Sequence, residues 1–141
     1  MALASEIIAG SGQGWCVKIA IVDDDVSVRK ALARVLTADE IETSTFASGA
    51  EFLDSLREQI PDCLTLDLQM PGMSGLEVQQ ALRDAGLSTP VIVITGNDDS
   101  TVVKRTLDAG AIACLVKPVD LGLLLDAVQR AVAGIRAKPV G

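Results

Sequence analysis

Two hydrophobic rhythms alternate along the chain. Short runs of apolar and β-branched residues recur, and between them apolar residues return every three or four positions. The runs are "VKIAIV" (17–22), "IETSTFA" (41–47), "CLTLD" (63–67), "VIVIT" (91–95) and "AIACLV" (111–116). Each reads as a strand. "VIVIT" has no polar interruption before its last residue, as suits a central parallel strand covered on both faces. "IETSTFA" alternates instead, with Ile41, Thr43, Thr45 and Ala47 on one face, and reads as a weaker strand at a sheet edge.

The segments between have helical spacing. The first, 26–36, places Val28, Ala31, Leu32 and Val35 together. Ser48 opens "SGAE" and Ser74 opens "SGLE", two Ser-x-x-Glu capping boxes. The helices behind them carry Phe52, Leu53 and Leu56, and then Leu76, Val78, Ala81 and Leu82. A fourth helix spans 100–109 and stops at Gly110, the expected C-cap residue. The last, 121–132, turns Leu121, Leu124, Leu125, Val128 and Val132 inward.

Five strands thus alternate with five helices. That alternation predicts an α/β fold: a parallel sheet with helices on both faces, joined by right-handed crossovers. A chain of 141 residues has room for one such domain. The expected division is a flexible leader over 1–15, a folded body over 16–134 and a short tail over 135–141.

Composition narrows the function. Hydrophobic content of 49% implies a packed core, and with one Trp, two Phe and no Tyr that core is aliphatic. Scarce aromatics argue against stacking on nucleobases. A net charge of −7 argues against non-specific binding to nucleic acid or an anionic membrane, and permits basic partners and divalent cations. The chain contains no His. A His general base, a His-ligated zinc and a Ser-His-Asp triad are therefore excluded. Cys16, Cys63 and Cys114 stand far apart, which fits neither a disulfide framework nor a zinc site. They read as small hydrophobes in a reduced, cytoplasmic protein. No apolar run approaches the ~18 residues of a membrane span.

The chemistry gathers at strand ends. The first strand runs into Asp23-Asp24-Asp25, the third ends in Asp67, the fourth in Thr95, and Lys117 follows the fifth. In an open α/β sheet, ligands bind beyond the carboxyl ends of the strands. A lone Asp there commonly caps the next helix, as expected of Asp25. Capping accounts neither for Lys117 nor for Asp67, since the next cap comes seven residues later at Ser74. Clustered carboxylates repel one another unless a cation intervenes. Mg2+ answers that need, since one or two carboxylates, a carbonyl and several waters complete its octahedron. With Lys117 as a point charge and Thr95 as a hydroxyl donor, the set forms a receptor for a tetrahedral polyanion. An Asp facing that group can itself be the nucleophile.

The segments "IVDDD", "LTLDLQMPGMSGLE", "VIVITG" and "AGAIACLVKP", in this order and spacing, resemble the receiver domain of bacterial two-component response regulators. The resemblance covers roughly residues 16–134 and leans towards the FixJ-like subgroup. It implies a flavodoxin-like (βα)5 sandwich with strand order 2-1-3-4-5. By position, Asp67 would be the phosphoacceptor. Asp24 would be the direct Mg2+ ligand and Asp23 a water-mediated one, with Asp67 and the backbone carbonyl of Gln69 completing the protein's share. Lys117 would pair with the phosphoryl group, across a Lys117-Pro118 bond expected to be cis. Thr95 would be the switch hydroxyl, while Gln69 and Asn97 occupy positions that tune phosphoryl lifetime.

Such a chain is a signalling switch rather than an enzyme. It would take its phosphoryl group from a sensor histidine kinase or a phosphotransfer protein. The face of the fourth helix, fifth strand and fifth helix would then control a partner or output domain, or pair two copies as a homodimer. Lys104, Arg105, Gln129 and Arg130 are expected near that face. One position departs from the family: Cys114 stands where a Tyr or Phe usually swings inward as the Thr moves, so the usual relay is not expected. Two rivals fit less well. A phosphatase with an Asp nucleophile would want Asp-x-Asp where this chain has "DLQ" (67–69). A flavin module would want a neutral phosphate loop where it has "DDD".

Overall fold

The structure, a computed structural model, describes residues 17–137. The expected leader, Cys16 and residues 138–141 lie outside them. The elements follow one another as β1 (Lys18–Val22), α1 (Val26–Ala38), β2 (Glu42–Phe46), α2 (Gly49–Ser55), β3 (Cys63–Asp67), α3 (Gly75–Asp84), β4 (Val91–Thr95), α4 (Ser100–Asp108), β5 (Ala113–Val116) and α5 (Leu121–Ala137). The five strands form one parallel sheet in the order β2-β1-β3-β4-β5. This is the flavodoxin-like order, with β1 and β3 adjacent at the switch point.

Period-two alternation divides the strand residues between two cores. Ile19 and Ile21 of β1 join Ile92 and Ile94 of β4 against Leu32 and Leu36 of α1 and Leu124, Ala127 and Val128 of α5. Ala20, Val22, Leu64, Leu66, Val91 and Val93 face the other way, onto Phe52 of α2 and Val78 and Leu82 of α3. Helices on both sides require strands apolar on both faces. Every residue of β3 and β4 is accordingly buried, whereas the edge strand β2 stays polar and partly exposed.

Local signals set most boundaries. Asp25 caps α1, its carboxylate accepting from the Ser27 and Val28 amides at 2.8 and 3.4 Å. Ser74 forms the full reciprocal box with Glu77. At Ser48 the structure has the hydroxyl's half, accepting from Glu51 N–H at 3.2 Å. Gly110 follows α4 with φ of +106°, a conformation that favours glycine.

Some expectations shift. The α1 stripe is Val28, Leu32 and Leu36, at strict i, i+4 spacing, and Ala31 is exposed. Leu121 is 41% exposed because it opens α5, one turn before the helix reaches the core at Leu124. α5 itself runs to Ala137, so three residues expected in the tail are helical. A single glycine such as Gly134 costs a helix only about 1 kcal/mol, which does not end it. β5 begins at Ala113 rather than 111.

Two polar side chains sit in these cores without full partners. The Thr65 hydroxyl, in β3, is buried with no hydrogen bond. Burying it unpaired costs free energy that an isosteric methyl would not. Thr65→Val is therefore expected to stabilise the protein by about 1 kcal/mol in urea titrations with an unchanged m-value. Gln79 of α3 is also buried. Its amide donates to the Thr106 carbonyl of α4 at 3.2 Å, and its own oxygen lacks a partner.

Candidate functional site

β1 and β3 lie side by side, so the residues at their carboxyl ends meet. Asp23 leaves β1 with its amide donating to the Phe46 carbonyl of β2 at 3.1 Å. Its carboxylate turns back to accept from the Asp25 amide at 2.8 Å. Asp67 is the last residue of β3, and its Oδ1 accepts a long bond from the Gln69 amide at 3.4 Å. Lys117 follows β5, anchored by its amide on the Thr95 carbonyl at 2.7 Å, and the Lys117-Pro118 bond is cis.

The side chains converge. Lys117 Nζ lies 3.4 Å from Asp67 Oδ1 and 3.5 Å from Asp23 Oδ2. Asp23, Asp24 and Asp67 each offer a carboxylate oxygen within 4.8 Å of the others. Asp23 and Asp67 are 1% and 3% exposed, while Asp24 stands at the surface. The cluster is a floor of two buried carboxylates with one carboxylate at the mouth and an ammonium alongside.

Thr95 reaches the same end of the sheet but is turned within it. It is wholly buried, and its hydroxyl accepts from the Asn97 amide at 3.0 Å. Gln69 is exposed, its side chain lying beside Gly96. The structure therefore joins Asp23, Asp24, Asp67 and Lys117 through their side chains. It places Thr95, Gln69 and Asn97 around them.

Electrostatics follow from this crowding. Burial, then repulsion from Asp23, push Asp67 up to about 6 against the pull of Lys117. Burial draws the Lys117 ammonium down, but attraction from Asp67 and then Asp23 outweighs it and its pKa is raised. Counted formally, three carboxylates against one ammonium leave a surplus of two negative charges in the cluster. Asp23 Oδ2 is moreover buried without a hydrogen-bond partner, its nearest cation 3.5 Å off. An orphaned buried carboxylate oxygen, oxygen-only donors and a surplus of two charges fit a hard dication such as Mg2+.

α3 locks this end of the sheet from below. A Cβ added at Gly75 would lie 2.8 Å from both the Asp67 carbonyl oxygen and the Leu68 Cα. The backbone itself would have to move. Gly75→Ala is expected to destabilise the protein by about 2 kcal/mol, measured by thermal and urea unfolding.

Among the described residues the two cysteines are free and stand apart from the cluster. Cys63 is buried, and burial pushes its thiol up to about 12, where it is inert. Cys114 is half-buried against the second core, beside Val93.

Sequence reasoning missed Arg29. Its Nη1 donates to the Asp23 carbonyl at 2.6 Å, at the rim of the cluster. A bond to backbone leaves no pattern in side-chain types, so nothing in the chain announced it.

Comparison with known proteins agrees with this fold. The family model described as response regulator receiver domain matches residues 19–129. Nodulation protein W of Bradyrhizobium diazoefficiens is 37% identical over 111 residues, covering 79% of this chain and 49% of its own. The chain thus spans about half the length of that relative. The crystal structure of FixJ-N superposes with a TM-score of 0.76 at 34% identity, covering 83% of this chain and 94% of that one. The receiver domain of the Francisella response regulator 1452 gives a TM-score of 0.80 over 86% of this chain and 99% of its own. Its identity of 24% makes that a likeness of fold alone.

Proposed function

From the premise that this chain belongs to the response regulator receiver domain family, we propose that it accepts a phosphoryl group on Asp67 in a Mg2+-dependent phosphorelay. The observation that carries the reading is the meeting of Asp67 with Asp23, Asp24 and Lys117 at the carboxyl end of the sheet.

Asp67 is the nucleophile. One of its carboxylate oxygens attacks phosphorus on the donor, a phosphohistidine of a sensor histidine kinase or phosphotransfer protein. The new P–O bond forms as the P–N bond breaks, and the histidine nitrogen keeps the electron pair and takes up a proton. Lys117, already 3.4 Å from Asp67, lies where it can neutralise charge on the phosphoryl oxygens. Asp23, Asp24 and Asp67, with the Gln69 carbonyl, would hold Mg2+. When bound, that ion supplies charge neutralisation at the phosphoryl group and at the crowded carboxylates.

Thr95 is the switch. Its hydroxyl leaves the Asn97 amide for a phosphoryl oxygen, coupling chemistry to the β4–α4 loop. Gln69 and Asn97 tune how long the phosphoryl group survives. The chain is a switch that turns over only its own phosphoryl group.

The output surface is the face of α4, β5 and α5, where a partner, an output domain or a second copy would dock. These elements carry exposed apolar residues, Leu107 in α4, Val116 in β5 and Leu121 and Leu123 in α5, and the intrahelical pairs Lys104–Asp108 and Arg130–Asp126. Nucleic-acid binding by the domain itself is disfavoured by its charge of −7. No helix among the described residues is long and apolar enough to cross a membrane. We place the protein in the cytoplasm, with its kinase.

The test is intact-mass spectrometry after incubation with acetyl phosphate. The reading expects a gain of one phosphoryl group with Mg2+ and none with EDTA. Turnover of phosphate esters without a stable adduct would contradict it.

A further inference from the structure

Three carboxylates do not stay together unaided. In the β1–α1 turn, the amide of Asp23 is tied to Phe46 and its carboxylate to the Asp25 amide. Asp25 is tied in turn through its side chain to Ser27 and through its carbonyl to the Arg29 amide, at 2.8 and 3.0 Å. The remaining backbone polar atom of Asp23 is its carbonyl oxygen. Arg29 reaches back six residues to hold it, at 2.6 Å. That oxygen shares one rigid peptide plane with the amide of Asp24. Fixing the oxygen fixes the plane, and the plane sets the direction from which the Asp24 side chain departs. Asp24 is the exposed member of the carboxylate set, with the least packing to place it.

We infer that Arg29 is a positioning residue for the Mg2+ site, locking the Asp23–Asp24 peptide so that the Asp24 carboxylate faces Asp67. The inference rests on the reading of this cluster as a Mg2+ site. It makes a prediction of unusual sign. Arg29 is a cation near a dication site, so charge alone says that removing it should tighten Mg2+ binding. Positioning says the opposite.

The experiment is calorimetric titration of Mg2+ into wild-type protein, Arg29→Met and Lys30→Met, with apo melting temperatures measured alongside. Lys30→Met removes the same charge one residue along, from an exposed side chain. Arg29→Met is expected to weaken Mg2+ binding about tenfold, as losses of outer ligand supports do. Lys30→Met should leave it unchanged or slightly tighter. Arg29→Lys keeps the charge but not the planar fork. It is expected to weaken binding severalfold, and it carries the test if Arg29→Met does not fold. Binding that is unchanged or tighter in the Arg29 variants overturns the inference and leaves the Mg2+ reading standing. Equal weakening in Lys30→Met also overturns it. Failure of the wild-type protein to bind Mg2+ overturns both.

Discussion

Asp67→Asn is expected to remain at its unmodified mass under conditions where the wild-type protein takes up about one phosphoryl group per molecule. An amide oxygen carries no full charge and is a poor nucleophile towards phosphorus. Asp23 and Asp24 belong to β1's turn, and Asp23 is already committed to the Asp25 amide. Neither is a substitute. The same variant should be the more stable protein at neutral pH. Asp67 is raised from 3.8 to about 6, so the fold favours its protonated form. Its contribution to stability is fully present below pH 3.8 and lost as pH rises through about 6. Asn, always neutral, escapes that loss. Above pH 7 the variant should gain on the order of 2 kcal/mol over wild type, and near pH 4 the gain should vanish. Thermal unfolding across that range checks it. A variant less stable than wild type at pH 7.5 would mean that the Asp67 carboxylate is held by more favourable contacts than those described.

Lys117→Met is expected to slow phosphoryl uptake by about a hundredfold without abolishing it, because one preorganised charge is lost while the nucleophile remains. The ammonium lies within 3.5 Å of both Asp67 and Asp23, and its attraction is what lowers the Asp67 pKa against burial. Without it, Asp67 shifts further up and a smaller fraction is ionised at pH 7. Part of the defect should therefore be recovered at pH 8.5, where the carboxylate is restored but the missing charge is not. Rates from quenched time courses at both pH values separate these two losses. Uptake at the wild-type rate would remove Lys117 from the phosphoryl pocket.

The contrast between these variants matches what each residue contributed to the sequence reading. Asp67 was legible because "CLTLD" has strand character up to a carboxylate that no adjacent cap explains. Lys117 was legible because it follows a strand directly, as Thr95 ends one. The sheet was legible in the same way: β3 and β4 are buried on both faces, and β4 reads as an apolar run up to Thr95. β2 declared itself an edge by its polar alternation.

What escaped was whatever depends on where an element overhangs its neighbours or on bonds to backbone. Leu121 has the spacing of a core residue, yet it precedes the part of α5 that reaches the core. Leu36 was passed over for Ala31 because α1 packs along i, i+4 rows, and composition alone does not choose between rows. Gln79 lies in an apolar stripe, where a polar residue looks like an interruption, and its partner is a carbonyl on another helix. Arg29 likewise bonds a carbonyl. Thr95 was placed at the correct end of the sheet, but its present partner, the Asn97 amide, is a local bond that residue types do not reveal.

Borohydride reduction of the phosphorylated protein, followed by peptide mapping, bears most directly on the site. Reduction converts an aspartyl phosphate to homoserine and leaves a free Asp untouched. Conversion at Asp67 alone, and only in samples phosphorylated with Mg2+ present, is the predicted result. Conversion at Asp23 or Asp24, or at Asp67 regardless of Mg2+, would contradict it.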